Sequence, residues 1–241
     1  MNIIQKGPLI TVLFISLISG QIENFVGSVA CKSCHPDQFE LWENSTHGQA
    51  GGSPDDTKIK APFDGKKITL KNGWFIPYKE DGRYFFKAQE NEFPEVKFEI
   101  IGVVGGGHIY GGGTQSFFGL FPDGTMRLLP FDYHPGEKTW FFETNNLSGW
   151  QPTSKKLSMR NLSEWPPNRT IGAITEKKNC QQCHGSQIIV GFDNNRGKYK
   201  TLFTELTINC ESCHGPGKEH LSLMQFGKSI VKGYTGIQSL K

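Results

Sequence analysis

Six cysteines fall in three Cys-x-x-Cys pairs with none left over: Cys31 and Cys34, Cys180 and Cys183, Cys210 and Cys213. A histidine follows each pair directly, at His35, His184 and His214. Two thiols held two residues apart on a helical turn can add across the two vinyl groups of a haem. The adjacent imidazole then reaches the iron from the same side. Three competing chemistries fit less well: disulfides or a thioredoxin-like site, an iron–sulfur cluster, or a zinc site joining Cys180, Cys183, Cys210 and Cys213. None of them needs a histidine after every pair, and the zinc reading leaves the first motif unexplained. The motifs therefore predict three covalently attached haem c groups.

The opposite face of each iron needs a second ligand or an open position. Four further histidines are available, His47, His108, His134 and His220, and no methionine stands in a strong ligand context. A second histidine gives a six-coordinate iron suited to electron transfer. His47 lies twelve residues after His35, too close along a short helix to fold back easily, so it is expected to serve another haem. His220 follows Gly215-Pro216-Gly217, a tight turn that starts a new segment near the motifs. His108 lies in a run of glycines that would allow close approach to a flat ligand. The same run matches neither dinucleotide-binding nor P-loop spacing. His134, before Pro135 and Gly136, is expected in an exposed turn.

These side chains need elements to position them. Residues 29 to about 50 read as a helix, with Pro36 in its first turn and Gly51-Gly52 at its end. From about residue 57 to 144 short aromatic or β-branched runs alternate with Asn72-Gly73, Asp81-Gly82 and Asp123-Gly124, which are hairpin signals. Strands are expected at 67–70, 74–78, 83–87, 96–104, 115–121, 125–130 and 139–143. Residues 147–175 read as irregular, and a helix is expected to begin near Leu221. The fold class expected is α+β: haem-binding helices and loops with an inserted small antiparallel β subdomain. The expected division is a signal peptide over 1–20, a first haem-binding segment over 21–56, the β-rich subdomain over 57–145, and the second and third haem-binding segment over 146–241.

Composition agrees with a secreted haem protein. Only 36% of the 241 residues are hydrophobic, and 29 are glycine, which is lean unless a porphyrin supplies part of the interior. Lys6 followed by the apolar run 9–18 reads as a signal peptide, too short to span a bilayer comfortably. No later stretch is long enough to cross a membrane. The formal charge of +3 turns slightly negative once Lys6 leaves and haem propionates are added, so it is no argument for a nucleic-acid partner.

The stretches Cys31–Trp42 with Ser45–Ala50, and Cys210–His220, resemble cytochrome c-552/4-type multihaem proteins. Residues 121–130, with Trp140 after them, look like the β insertion of larger members. The resemblance spans most of residues 29–240. It implies a bacterial protein of the periplasm or cell exterior, distal ligation by the histidines matching His47 and His220, and haems packed in close pairs. Many relatives continue with a further Cys-x-x-Cys-His, so the resemblance also implies a shortened or split version. The function expected is electron transfer between redox partners, with neighbouring haem subunits as further candidate partners. The alternatives are an oxidoreductase acting on a small nitrogen or sulfur compound at one open haem, or a structural unit of a haem-bearing assembly. His108 is the arbiter: if it ligates iron, all three sites are closed.

Overall fold

The computed structural model describes residues 22–106, 113–143, 150–152 and 185–225. The second motif (Cys180, Cys183, His184), His108, the leader and most of the segment 147–175 expected to be irregular lie outside the described residues; within that segment, residues 150–152 form a strand instead.

The described residues are mostly β, which overturns the expected α+β fold with a small inserted sheet. Ten strands form one antiparallel sheet. They are β1 (Gly51–Gly52), β2 (Ile68–Leu70), β3 (Gly73–Glu80), β4 (Arg83–Glu90), β5 (Val96–Gly105), β6 (Gln115–Leu120), β7 (Met126–Leu128), β8 (Phe131–His134), β9 (Thr139–Glu143) and β10 (Trp150–Pro152). The order is β10-β9-β8-β6-β5-β4-β3-β2, with β1 paired to β5 and β7 to β6. A separate hairpin pairs β11 (Ile189–Asp193) with β12 (Lys198–Leu202). The helices are short: α1 (Ser28–Cys31), α2 (Pro36–Glu43), α3 (Cys210–His214) and α4 (Lys218–Gln225). None is long and apolar enough to cross a membrane.

Two local causes shorten the helices. Proline disfavours helical geometry in the residue before it, and His35 accordingly sits at φ −126°, ψ 56°. The single helix expected over residues 29 to about 50 is thus split into α1 and α2. The second half stops at Asn44, where the Ser45 hydroxyl donates to the Trp42 carbonyl at 2.7 Å and accepts from the Gly48 N–H.

The sheet has a packed aromatic face. Phe86 is fully buried, with the rings of Phe63, Phe75, Phe117, Phe131 and Trp140 between 5.0 and 5.9 Å away. Gln115 is buried in the same layer. Its carboxamide accepts from the N–H groups of Lys60 and Ala61 and donates to the Lys58 carbonyl, pinning the incoming loop. Met126, expected to be no ligand, packs in the sheet.

The other face of the sheet supports the motifs. Leu206 is buried against Phe118, Met126 and Leu128, four residues before Cys210. Gly51 lies between the two chains: a Cβ there would stand 2.4 Å from the Val103 carbonyl oxygen and 2.6 Å from that of Leu206. Only glycine lets the chain leaving His47 pass between the sheet and the segment entering the third motif.

Candidate haem-binding site

The first motif straddles the break between α1 and α2. Cys31 ends α1, the His35 N–H donates to the Cys31 carbonyl at 2.9 Å, and Pro36 starts α2. The third motif is α3 itself. Asn209 caps it, its side-chain oxygen accepting from the Ser212 N–H at 2.9 Å. Gly215 follows at φ +80°, a conformation open to glycine. The chain turns there into α4, which carries His220.

These two motifs, distant in sequence, share one cleft of ≈ 500 Å³. Cys31, His35 and His47 line it from one side, and Cys210, Cys213, His214 and His220 from the other, with Phe39 and Trp42 among the apolar lining. The imidazoles of His35 and His220 stand 6.2 Å apart, centroid to centroid, with planes 26° from parallel. The Cys31 thiol donates to the Gly27 carbonyl at 3.9 Å, and the Cys210 thiol stands near enough to oppose its ionisation. Burial pushes the Cys31 thiol up to about 11, and the neighbouring Cys210, Glu211 and Glu205 add to the rise. That thiol is protonated at neutral pH, and it ceases to titrate once it is a thioether.

Several contacts lock the two sides together. The Trp42 indole N–H donates to the Ile208 carbonyl at 2.8 Å. The Thr207 hydroxyl donates to the His47 carbonyl. Glu205 accepts from the Ser28 N–H at 3.1 Å and its hydroxyl at 2.8 Å. Glu211, almost fully buried, accepts from the N–H groups of Val26, Gly27 and Gly217. Ser186, two residues beyond the second motif, donates to the Thr207 carbonyl, accepts from the Asn209 N–H and pairs with the Ser212 hydroxyl at 2.7 Å. No sequence signal singled out Glu211, Ser186 or Thr207: a buried polar residue is ordinary until its partners are known.

The other candidates fall elsewhere. His134 ends β8, paired with Thr139 and half-buried rather than in the exposed turn expected, and its Nδ1 accepts from the Glu137 N–H at 2.9 Å. Four arginines, Arg127, Arg160, Arg169 and Arg196, are of a type that can pair with haem propionates; Arg127 instead pairs with Asp123 at 2.5 Å and Arg196 with Asp193 at 3.7 Å. Arg160 and Arg169 lie outside the described residues.

The family described as cytochrome c554 and c-prime matches residues 30–71 and 134–215. The chain belongs to the cytochrome c554 and c-prime family. Membership in this group of multihaem c-type cytochromes implies covalent haem c and electron transfer. Both described motifs fall in the matched stretches, and β3 to β7 fall between them. Among solved structures, the chain is similar to the outer cell wall cytochrome OcwA, at 22% identity and a TM-score of 0.47 over 88% of this chain and 35% of that one. It thus spans about a third of that protein's length. No curated protein matches.

The cleft suits the group that the family implies. The thiols of Cys31, Cys210 and Cys213 and all four histidines line it, and His35, His47 and His214 are exposed rather than packed. Imidazole nitrogens bind metals such as zinc at about 2.0–2.1 Å. Ring bonds of about 1.35 Å put the imidazole centre roughly 1.1 Å behind the nitrogen. Two imidazoles sharing one metal would have centroids at most about 6.3 Å apart, so the stacked His35 and His220 rings, 6.2 Å apart, lie within reach of a shared group.

Proposed function

We propose that the chain is a secreted trihaem c-type cytochrome that passes electrons between redox partners through closely packed, mostly bis-histidine haems. Covalently bound haem supplies the redox-active iron, and the chain holds, orients and shields it. Cys31 and Cys34 anchor the first group, Cys180 and Cys183 the second, Cys210 and Cys213 the third. His35, His184 and His214 are the proximal ligands.

The shared cleft carries this reading. His220, from the segment after the third motif, would complete the iron held by His35, and the 6.2 Å ring separation supports that pair. His47, from the segment after the first motif, would reciprocally complete the iron held by His214, since both line the same cleft. Each motif would then supply the distal ligand of the other. The adjacent Cys31 and Cys210 sulfurs favour porphyrin edges that lie close together. The Ser186 contacts favour a second motif next to the third. His108 remains the candidate to close the second iron.

Residues 1–20 serve in this reading as a signal peptide, and the sheet as a brace for the haem segments. The location is periplasmic or extracellular, and the partners are other redox proteins.

A haem assay on pyridine extracts together with electron paramagnetic resonance of the ferric protein tests the proposal. Three covalent haems with low-spin signals are expected. Fewer than three haems would overturn the count. A large high-spin signal would favour an enzyme with an open haem.

A further inference from the structure

We propose that Glu211 is a positioning residue that holds the His220 segment in register with the first motif, and so keeps the first iron six-coordinate. The inference rests on the reading above that His35 and His220 share one iron. Glu211 occupies a variable position inside the third Cys-x-x-Cys-His, yet its carboxylate faces away from simple surface solvation: only 4% of the residue is exposed. Its oxygens accept from the Val26 N–H at 3.0 and 3.1 Å and from the Gly27 N–H at 2.8 Å, just before α1 and Cys31. They also accept from the Gly217 N–H at 2.7 Å, three residues before His220.

A buried carboxylate is tolerated when several donors converge on it. Here the donors come from two chain segments, so one side chain joins three pieces of the site. These are the approach to Cys31, the helix of the third motif, and the start of the helix that carries His220. A second contact runs the same way: the Lys218 N–H donates to the Asn24 carbonyl at 3.2 Å. Both contacts set where α4 begins relative to α1, which decides whether His220 stands opposite His35. No other side chain in the cleft touches all three segments through hydrogen bonds among the described residues.

Glutamine in place of Glu211 would turn one acceptor into a donor facing an N–H. The carboxylate reaches partners on both sides, so the shorter aspartate would keep the charge and lose part of the reach. Gly217→Ala offers a milder route, since its Cβ would stand 3.1 Å from the Glu211 carboxylate and 3.1 Å from the Val26 side chain.

The test uses the full haem-loaded protein and carbon monoxide as a probe of open ferrous iron. Wild type, Glu211→Gln, Glu211→Asp, Gly217→Ala and His220→Ala are compared. Glu211→Gln is expected to keep the wild-type number of covalent haems while the carbon-monoxide-reactive fraction rises roughly 10–100-fold. A high-spin ferric signal from one haem should accompany it. Glu211→Asp should fall between it and wild type, and Gly217→Ala should shift in the same direction. If His220→Ala opens one haem while Glu211→Gln and Gly217→Ala keep wild-type spectra and reactivity, the role of Glu211 is overturned and the axial pair stands. If His220→Ala opens no haem, the axial pair falls, and the proposal with it. Should Glu211→Gln fail to accumulate, Gly217→Ala decides alone: unchanged reactivity overturns the proposal.

Discussion

The rings of His35 and His220 stand 6.2 Å apart although 185 residues separate them in the chain. Neither histidine is deeply packed, and no hydrogen bond joins them directly. Their approach follows from the backbone: the split at Pro36 aims His35, the turn at Gly215 redirects the chain, and α4 presents His220. Two imidazoles 6.2 Å apart in a cleft lined by the thiols of Cys31, Cys210 and Cys213 could hold a metal-centred group between them.

Removing the distal imidazole should therefore change one iron and leave the others. His220→Ala is expected to retain all covalent haem and to create one carbon-monoxide-binding haem per chain, seen as a new ferrous–carbonyl band. Exogenous imidazole should reverse it. Unchanged spectra would count against the assignment.

The brace beneath the third motif makes a separate prediction. Leu206 is 2% exposed and packs on Phe118, Met126 and Leu128. Leu206→Ala should destabilise the protein by about 2–5 kcal/mol in urea unfolding, with the haem number unchanged. A loss well under 1 kcal/mol would mean that the sheet does not support the motif.

Much of this organisation is legible in the residues alone, and the remainder is not, for physical reasons. The attachment motifs are local, because five adjacent residues meet every constraint of thioether and iron bonding. The hairpins are local as well: Asp81 at φ 49° and Gly82 at φ 75° adopt the turn that their types favour, and β3 and β4 follow from it. The helix expected over residues 29 to about 50 is broken because Pro36 acts on the residue before it. A proline that suits the start of α2 also ends α1. β8 and β11 turn back through four-residue loops, 135–138 and 194–197, which carry no tight two-residue turn signal. The α+β expectation failed because strand pairing extended the sheet well beyond the hairpins, while the helices stayed at four to eight residues. The meeting of the first and third motifs was invisible. Contacts such as Val26 with Glu211 span 185 residues and leave no local trace.

Acid should weaken the junction between the sheet and the β11–β12 hairpin. The Asp123 carbonyl accepts from the Tyr199 N–H. Burial of its carboxyl opposes ionisation, but the Thr125 hydroxyl and N–H and the Arg127 guanidinium outweigh it and hold the group below the usual aspartate range. A carboxyl whose pKa is depressed by folding adds stability above its unfolded value of about 3.9, and loses it as pH falls through the folded value. Thermal unfolding should show Asp123→Asn less stable than wild type at pH 7, with the two curves converging as pH drops below about 4. A gap that persists at pH 2 would mean that the charge is not the cause.

The central claim is that the first and third motifs build one shared haem cleft by exchanging distal histidines. A crystal structure of the haem-loaded protein, with iron located by anomalous scattering at the iron edge, tests it most directly. The account predicts iron between His35 and His220, a second iron between His214 and His47, and the Cys31 and Cys210 thioethers side by side. An iron held by His35 with any other residue, or none, on its far face would contradict it.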